Sequence, residues 1–467
     1  MTASRLYETL NRLSTIAASA VVARGRIASP ALNAVLLRRL SAEPGEMDAI
    51  LADPMFEIAR AWKLASKNLG DLAGGLLHPD LVTAMDEARA ERMPRDRHPY
   101  SHQIDAWEAA RAGLSCLVSS GTGSGKTECF MVPILDDLLR DSTKGKLAGV
   151  RAIVIYPLNA LIESQRERLA AWTEALNNRI SFALYNGLTP ETPRNVDKGR
   201  LAASEIGDRQ TIRENPPSIL VTNVTMLEYL LLRTQDRTLL ERSQKLLRWI
   251  VLDEAHSYIG AQAAEMALLL RRVRAAFGVE PDQVRLMATS ATISDGDGTE
   301  AKLKRFVADL AGLSEERVKV IEGHSIDPEL PGMSADVPLD LAALTGQTPA
   351  ALWDHLACHP RIRELKRVMS KKGVTLSQAA EIFFGHEGKA RRIEAQSILD
   401  AAAHAQCPAT QARLVPWRAH LFHRAQGGIW VCIDSGCIHR DGELVAEGAG
   451  WGFGAVWMTG TTTSNRG

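Results

Sequence analysis

One short turn limits what this chain can fold into more than any other segment. Leu114 to Ser119 is an apolar, β-rich run; Gly121-Thr122-Gly123-Ser124-Gly125-Lys126-Thr127 follows at once, and a helix-forming stretch then continues to about Arg140. Glycines allow a backbone to wrap an anion, and a helix that opens directly after them points free amide N–H groups and the positive end of its dipole at that anion. Strand, glycine turn and helix in this order imply a nucleotide phosphate site. In it Gly121, Thr122, Gly123, Ser124 and Gly125 form the cradle, Lys126 reaches the β- and γ-phosphates, and the Thr127 hydroxyl takes a magnesium ion. The strict pattern has glycine where Ser120 stands; serine is small enough to fit the same turn.

A second element completes the pair. Trp249-Ile250-Val251-Leu252 reads as a buried strand that ends in Asp253-Glu254-Ala255-His256. Ligands of open α/β sheets bind at the carboxyl ends of the strands. Asp253 is expected to hold the magnesium and Glu254 to orient and deprotonate the attacking water, so Lys126, Asp253 and Glu254 form the expected catalytic set. His256 is placed either against the γ-phosphate side or as a relay to the neighbouring motif. Together the two elements imply ATP and magnesium.

Around them the chain divides by pattern. Residues 1–95 read as a helical accessory region, with Leu6, Leu10, Leu13 and Ile16 at helical spacing. Residues 96–310 alternate short apolar strands with amphipathic helices: Leu114–Ser119, Ala152–Tyr156, Ile180–Tyr185, Ser218–Thr222, Trp249–Leu252 and Val284–Ala288 are the expected strands. That alternation predicts an α/β, RecA-like phosphate-loop domain whose parallel sheet is covered on both faces. Asn195 to Pro217 reads as a loop or a short inserted helix. Residues 311–425 read as helical again, and 426–467 form a tail containing Gly, Trp and Cys.

Bulk charge announces no partner: 55 basic residues balance 55 acidic ones. A polyanion would have to be held by local groups, backbone amides and helix N-termini. No run approaches the roughly 18 apolar residues a membrane span needs, the N-terminus lacks a secretory pattern, and six scattered cysteines make no disulfide framework. The expectation is a cytoplasmic protein. Cys432 and Cys437 form a Cys-x₄-Cys pair that is either half of a tetrahedral zinc site or two free thiols.

The order of motifs from about Pro99 to Thr292 resembles the superfamily 2 helicases of the DEAD/DEAH-box type. The resemblance implies several roles. In Pro99-Tyr100-Ser101-His102-Gln103, Gln103 would read the adenine edge and Tyr100 would stack near the base. Nucleic-acid contacts would come from Pro157 and Asn159 in Tyr156-Pro157-Leu158-Asn159-Ala160-Leu161, from Asn186 and Gly187, and from Thr222 and Asn223. Ser290 and Thr292 of Ser290-Ala291-Thr292 would couple hydrolysis to movement. Asn159-Ala160-Leu161-Ile162, and His420-Leu421-Phe422-His423-Arg424 leading to Cys432, resemble large bacterial DNA helicases with an inserted cysteine module, some in repair and others in phage defence.

Helicases of this type use two RecA-like lobes, and the second carries a Gln-x-x-Gly-Arg-x-x-Arg motif that does not occur after Thr292. The sequence therefore predicts the first lobe of an ATP-dependent helicase or translocase acting on single-stranded or duplex DNA. Its alternative is a truncated or split subunit, an ATP-gated DNA-binding protein whose second lobe comes from a partner chain. A nuclease is disfavoured, since no Pro-Asp…Asp/Glu-x-Lys constellation stands out.

Overall fold

The computed structural model describes residues 5–458, apart from 47, 60, 122, 143–144, 146, 196–198, 200, 259, 291–298, 387, 425–428, 441 and 448–450. The expected site residues Thr122 and Thr292 therefore lie outside the described residues. The chain folds as two compact units, one of residues Trp62–Ser325 and one of Met1–Ala61 with Ile326–Gly467.

Trp62–Ser325 is built on a seven-stranded sheet, all parallel. Its strands are β1 (Ser115–Ser119), β2 (Ala152–Ile155), β3 (Phe182–Tyr185), β4 (Ile219–Thr222), β5 (Trp249–Leu252), β6 (Arg285–Ser290) and β7 (Val318–Glu322), in the spatial order β3-β4-β2-β5-β6-β1-β7. This is the RecA-like α/β fold. The five inner strands and the edge strand β3 have almost continuous apolar sequences, and all four residues of β3 are buried. Successive residues alternate between two cores. Cys116, Val118, Val154, Phe182, Val221 and Val251 face the helices α1 (Ser101–Arg111), α2 (Lys126–Asp141) and α3 (Asn159–Ala175), while Leu117, Ile153, Ile155, Leu220, Ile250 and Leu252 face the other layer.

Six strands fall within one or two residues of their expected positions. The seventh, β7, occupies a stretch read as helical. It is an edge strand on which Lys319 and Glu322 are exposed, so it lacks the apolar run that marks its neighbours. The Asn195–Pro217 segment contains a six-residue helix, Arg209–Glu214, held at its start by the Asp208 side chain accepting the Thr211 N–H.

The other unit packs the helices Arg5–Gly25, Pro30–Leu40, Pro349–Leu356, Pro360–Met369, Leu376–Phe384 and Lys389–His404. It also holds a small antiparallel sheet in which Met55–Ile58 lies between Trp417–His420 and Val374–Thr375. These strands interrupt regions read as helical. Ile429–Val431 and Val456–Met458 form a separate antiparallel pair. No helix among the described residues is long and apolar enough to cross a membrane.

Phe130, fully buried on α2, packs in the core between α2 and the sheet. Phe130→Ala is expected to cost about 3–5 kcal/mol, read as a lower denaturant midpoint for the transition of this unit.

Candidate nucleotide and nucleic-acid site

Because the sheet is parallel, every strand of the lobe ends on one edge. Register sets what stands side by side there: Ser119 is level with Ser290, Leu252 with Ala288 and Ile155, and Thr222 with both Ile155 and Tyr185. The ends of β5, β6 and β1 thus bring together the acidic box, Ser290 and the phosphate loop. The ends of β3, β4 and β2 bring together Asn186-Gly187, Asn223 and Pro157-Asn159.

The loop leaves Ser119 and enters α2 through Gly123 (φ 76°) and Gly125 (φ 71°), left-handed conformations that glycine adopts without strain. Ser120 is fully buried, and its hydroxyl pairs with that of Ser124 at 2.5 Å. The serine that departs from the expected pattern therefore ties the loop together. Among the described residues no side chain caps α2, so its first amides stay available to an anion. Lys126 Nζ donates to the Ser120 carbonyl at 3.1 Å.

Aromatic and amide groups back the loop. Gln103, expected to read the adenine edge, is 1% exposed; it accepts the Tyr100 N–H at 2.9 Å and donates to the Gly125 carbonyl at 3.1 Å, so it ties α1 to the loop. Tyr100 lies on the buried His102 ring, with centroids 5.5 Å apart. His102 Nε2 is 2.8 Å from the Ser124 carbonyl, and burial pushes its imidazole below the usual histidine range. The buried Trp62 ring covers Gly121, where an added Cβ would meet it at 3.2 Å. The sequence reading did not include Trp62 or His102. Trp62 is far away in sequence and only the fold brings it over the loop.

At the end of β5 the Thr289 hydroxyl donates to Asp253 Oδ1 and accepts the Glu254 N–H at 3.2 Å. Thr289 thus fixes both members of the acidic box, one residue before the expected coupling motif. Burial pushes the Asp253 carboxyl up, while the Thr289 hydrogen bond and nearby Lys126 pull it down. The lysine and the carboxylate thus share one neighbourhood. Glu254 holds a left-handed conformation (φ 51°), and its Oε2 stands 3.2 Å from His256 Nδ1. Thr127 and Asp253 supply a hydroxyl and a carboxylate, hard oxygen donors that suit magnesium when phosphate oxygens and water complete its shell.

The other half of the edge is more varied. α3 opens at Asn159 without a side-chain cap, beside the half-buried Pro157 and the exposed Leu158. Asn159 is joined to Asn223, whose Nδ2 donates to Asn159 Oδ1 at 2.7 Å while its Oδ1 caps the next helix. Thr222 turns its hydroxyl inward to the Tyr185 carbonyl, and Asn186 is 1% exposed, so both work as brackets. Gly187 is open.

Cys432 and Cys437 belong to the other unit. Both Cβ atoms crowd Gly454, where an added Cβ would meet them at 2.9 and 2.6 Å. The amides of His439 and Ala455 hydrogen-bond the Cys437 sulfur and hold its thiol below the usual range. Among the described residues no group of three or more His, Cys, Asp or Glu side chains is placed to hold a metal.

Residues 100–299 match the family model of the DEAD/DEAH box helicases. That segment carries a DEAD/DEAH box helicase domain. It is 25% identical to Druantia protein DruE of Escherichia coli, over 74% of this chain and 26% of that protein. It is 31% identical to ATP-dependent helicase hrq1 of Schizosaccharomyces pombe, over 42% of this chain and 16% of that protein. Among solved structures it resembles the DUF1998 helicase MrfA bound to DNA and AMPPNP (TM-score 0.41, 21% identity, 76% of this chain and 43% of that chain). The chain thus spans about a quarter or less of the length of these two curated relatives.

The role of Thr289 can be separated from general stability. Thr289→Val is expected to weaken ATP binding about tenfold in magnesium, the scale of a hydrogen bond to a charged group, and to leave binding in EDTA nearly unchanged. Paired calorimetric titrations check this.

Proposed function

We propose that this chain binds ATP–magnesium and nucleic acid as the first lobe of an ATP-dependent helicase or translocase. The observation that carries the reading is one sheet edge with two halves: phosphate loop and acidic box on one, the uncapped start of α3 and the open Gly187 on the other. Lys126 holds the phosphates, Thr127 and Asp253 hold the metal, and Glu254 acts on the water. Phosphate contacts of this kind are independent of sequence and weaken with salt. DNA rather than RNA follows from the subgroup resemblance in Asn159–Ile162 and His420–Arg424. The regions before and after the lobe in the sequence act as accessory regions.

The second reading differs only in where the other lobe resides. Arginine donors from a second RecA-like lobe are worth about 10³- to 10⁵-fold in turnover. The lobe described here is therefore expected to bind nucleotide well and turn it over slowly. A second lobe, on the same polypeptide or on a partner chain, would supply the missing acceleration.

Two substitutions test the assignment. Lys126→Ala should bring nucleotide binding below detection by calorimetry. Glu254→Gln should keep binding and lower hydrolysis about 10²-fold or more, the usual scale of general-base loss. Unchanged hydrolysis in Glu254→Gln would remove Glu254 from its role.

The cysteine pair supports zinc only in half measure, since it offers two sulfurs of a four-ligand tetrahedral set. Zinc bound to the purified chain is expected to be stripped readily by a chelator, with ATP affinity unchanged. Metal analysis before and after chelation checks both points.

A further inference from the structure

Beside the phosphate loop lies a buried polar cluster that no step above uses. Glu128, in the first turn of α2, is 9% exposed, and its Oε2 would stand 3.0 Å from a Cβ added to Gly125. Arg168 on α3 brings Nη1 to 3.5 Å from Glu128 Oε1, while its Nη2 is 3.0 Å from Glu91 Oε2. Tyr156, directly after β2, is 1% exposed; burial above all pushes its hydroxyl up, with smaller contributions from the charges of Asp253, Arg168 and Glu128.

Three buried atoms here have no hydrogen-bond partner among the described residues: Glu128 Oε2, Arg168 Nε and Tyr156 Oη. They are an acceptor, a donor and a group that does both. A buried polar atom without a partner costs about 1–3 kcal/mol, so a small movement that pairs any two of these three is favourable. The flanking geometry shows what such a movement would connect. Glu128 touches the loop that carries the γ-phosphate lysine. Arg168 and Tyr156 belong to the two elements that meet at Pro157 and Asn159.

We propose that Glu128, Arg168 and Tyr156 form a buried relay through which the nucleotide state of the phosphate loop sets the affinity of the β2–α3 junction for nucleic acid. Arg168 is shared between Glu91 and Glu128. When the γ-phosphate draws in Gly125 and Lys126, Glu128 shifts, Arg168 follows it and Tyr156 supplies the hydrogen bond that neither partner has in this structure. The three are positioning residues and touch neither ligand. The inference rests on the proposed function.

The test measures coupling rather than affinity. The dissociation constant of a fluorescent ATP analogue is determined with and without a thymidine oligonucleotide, and that of the oligonucleotide with and without the magnesium–nucleotide complex. By linkage the two ratios must agree. In the unmodified chain the ratio is expected to be about five or more, the lower end of ordinary coupling. Glu128→Gln and Arg168→Met should bring it close to one, with each ligand alone bound within about threefold.

Tyr156→Phe separates relay from packing. Removing a hydroxyl that has no partner should leave the melting temperature unchanged or raise it, yet coupling should still fall. Full coupling in Tyr156→Phe and Glu128→Gln overturns the relay. So does a ratio of one in the unmodified chain when both ligands bind. Failure of the unmodified chain to bind the oligonucleotide at all overturns the proposed function, and the relay with it.

Discussion

Parallel pairing of the seven strands is the constraint on which the lobe depends. A parallel neighbour starts and ends at the same edge, so chemistry placed at the end of one strand stands beside chemistry placed at the end of the next. Segments 67 to 171 residues apart in sequence meet in this way: Ser119 lies level with Ser290, and Ile155 with Leu252 and Thr222. The helices that cover both faces keep this register, because a slip of one residue would exchange the two cores to which alternate side chains belong.

Within that frame the nucleotide site is held in shape by contacts that have no role in the chemistry. Ser120 and Ser124 tie the loop internally, Gln103 joins it to α1, and Trp62 covers Gly121. Thr289 orients the acidic box from the neighbouring strand. Groups set before the ligand arrives need little reorganisation when charge develops, and this is the economical way to stabilise a phosphoryl-transfer transition state. The other half of the edge is bracketed more loosely: Asn159 and Asn223 hold each other, while no described residue would meet a Cβ at Gly187.

How much of this could be read in advance depended on the reach of each signal. The strands β1 to β6 are legible because burial on both faces leaves apolar runs between turns. The strand β7 was not, since an edge position allows Lys319 and Glu322 to face solvent and breaks the run. Met55–Ile58 was missed for a related reason: four residues paired on both sides by distant strands carry no local period. The phosphate loop and acidic box were legible as motifs, because backbone wrapping and metal binding each demand particular residue types at fixed spacing. Thr289 was not, because one more hydroxyl at the end of a strand looks like its neighbour Ser290 until the partner strand is in place.

The sequence by itself determined a glycine turn able to hold phosphates, an acidic pair able to hold magnesium, and the α/β alternation that sets both on one sheet edge. These are local requirements, written in contiguous residues. Only the tertiary structure decided which side chains stand behind them: Trp62 over Gly121, Thr289 under Asp253, and Glu128 between Gly125 and Arg168. Such contacts join segments far apart along the chain. Their partners are chosen by strand order and helix packing, which no short stretch of residues encodes.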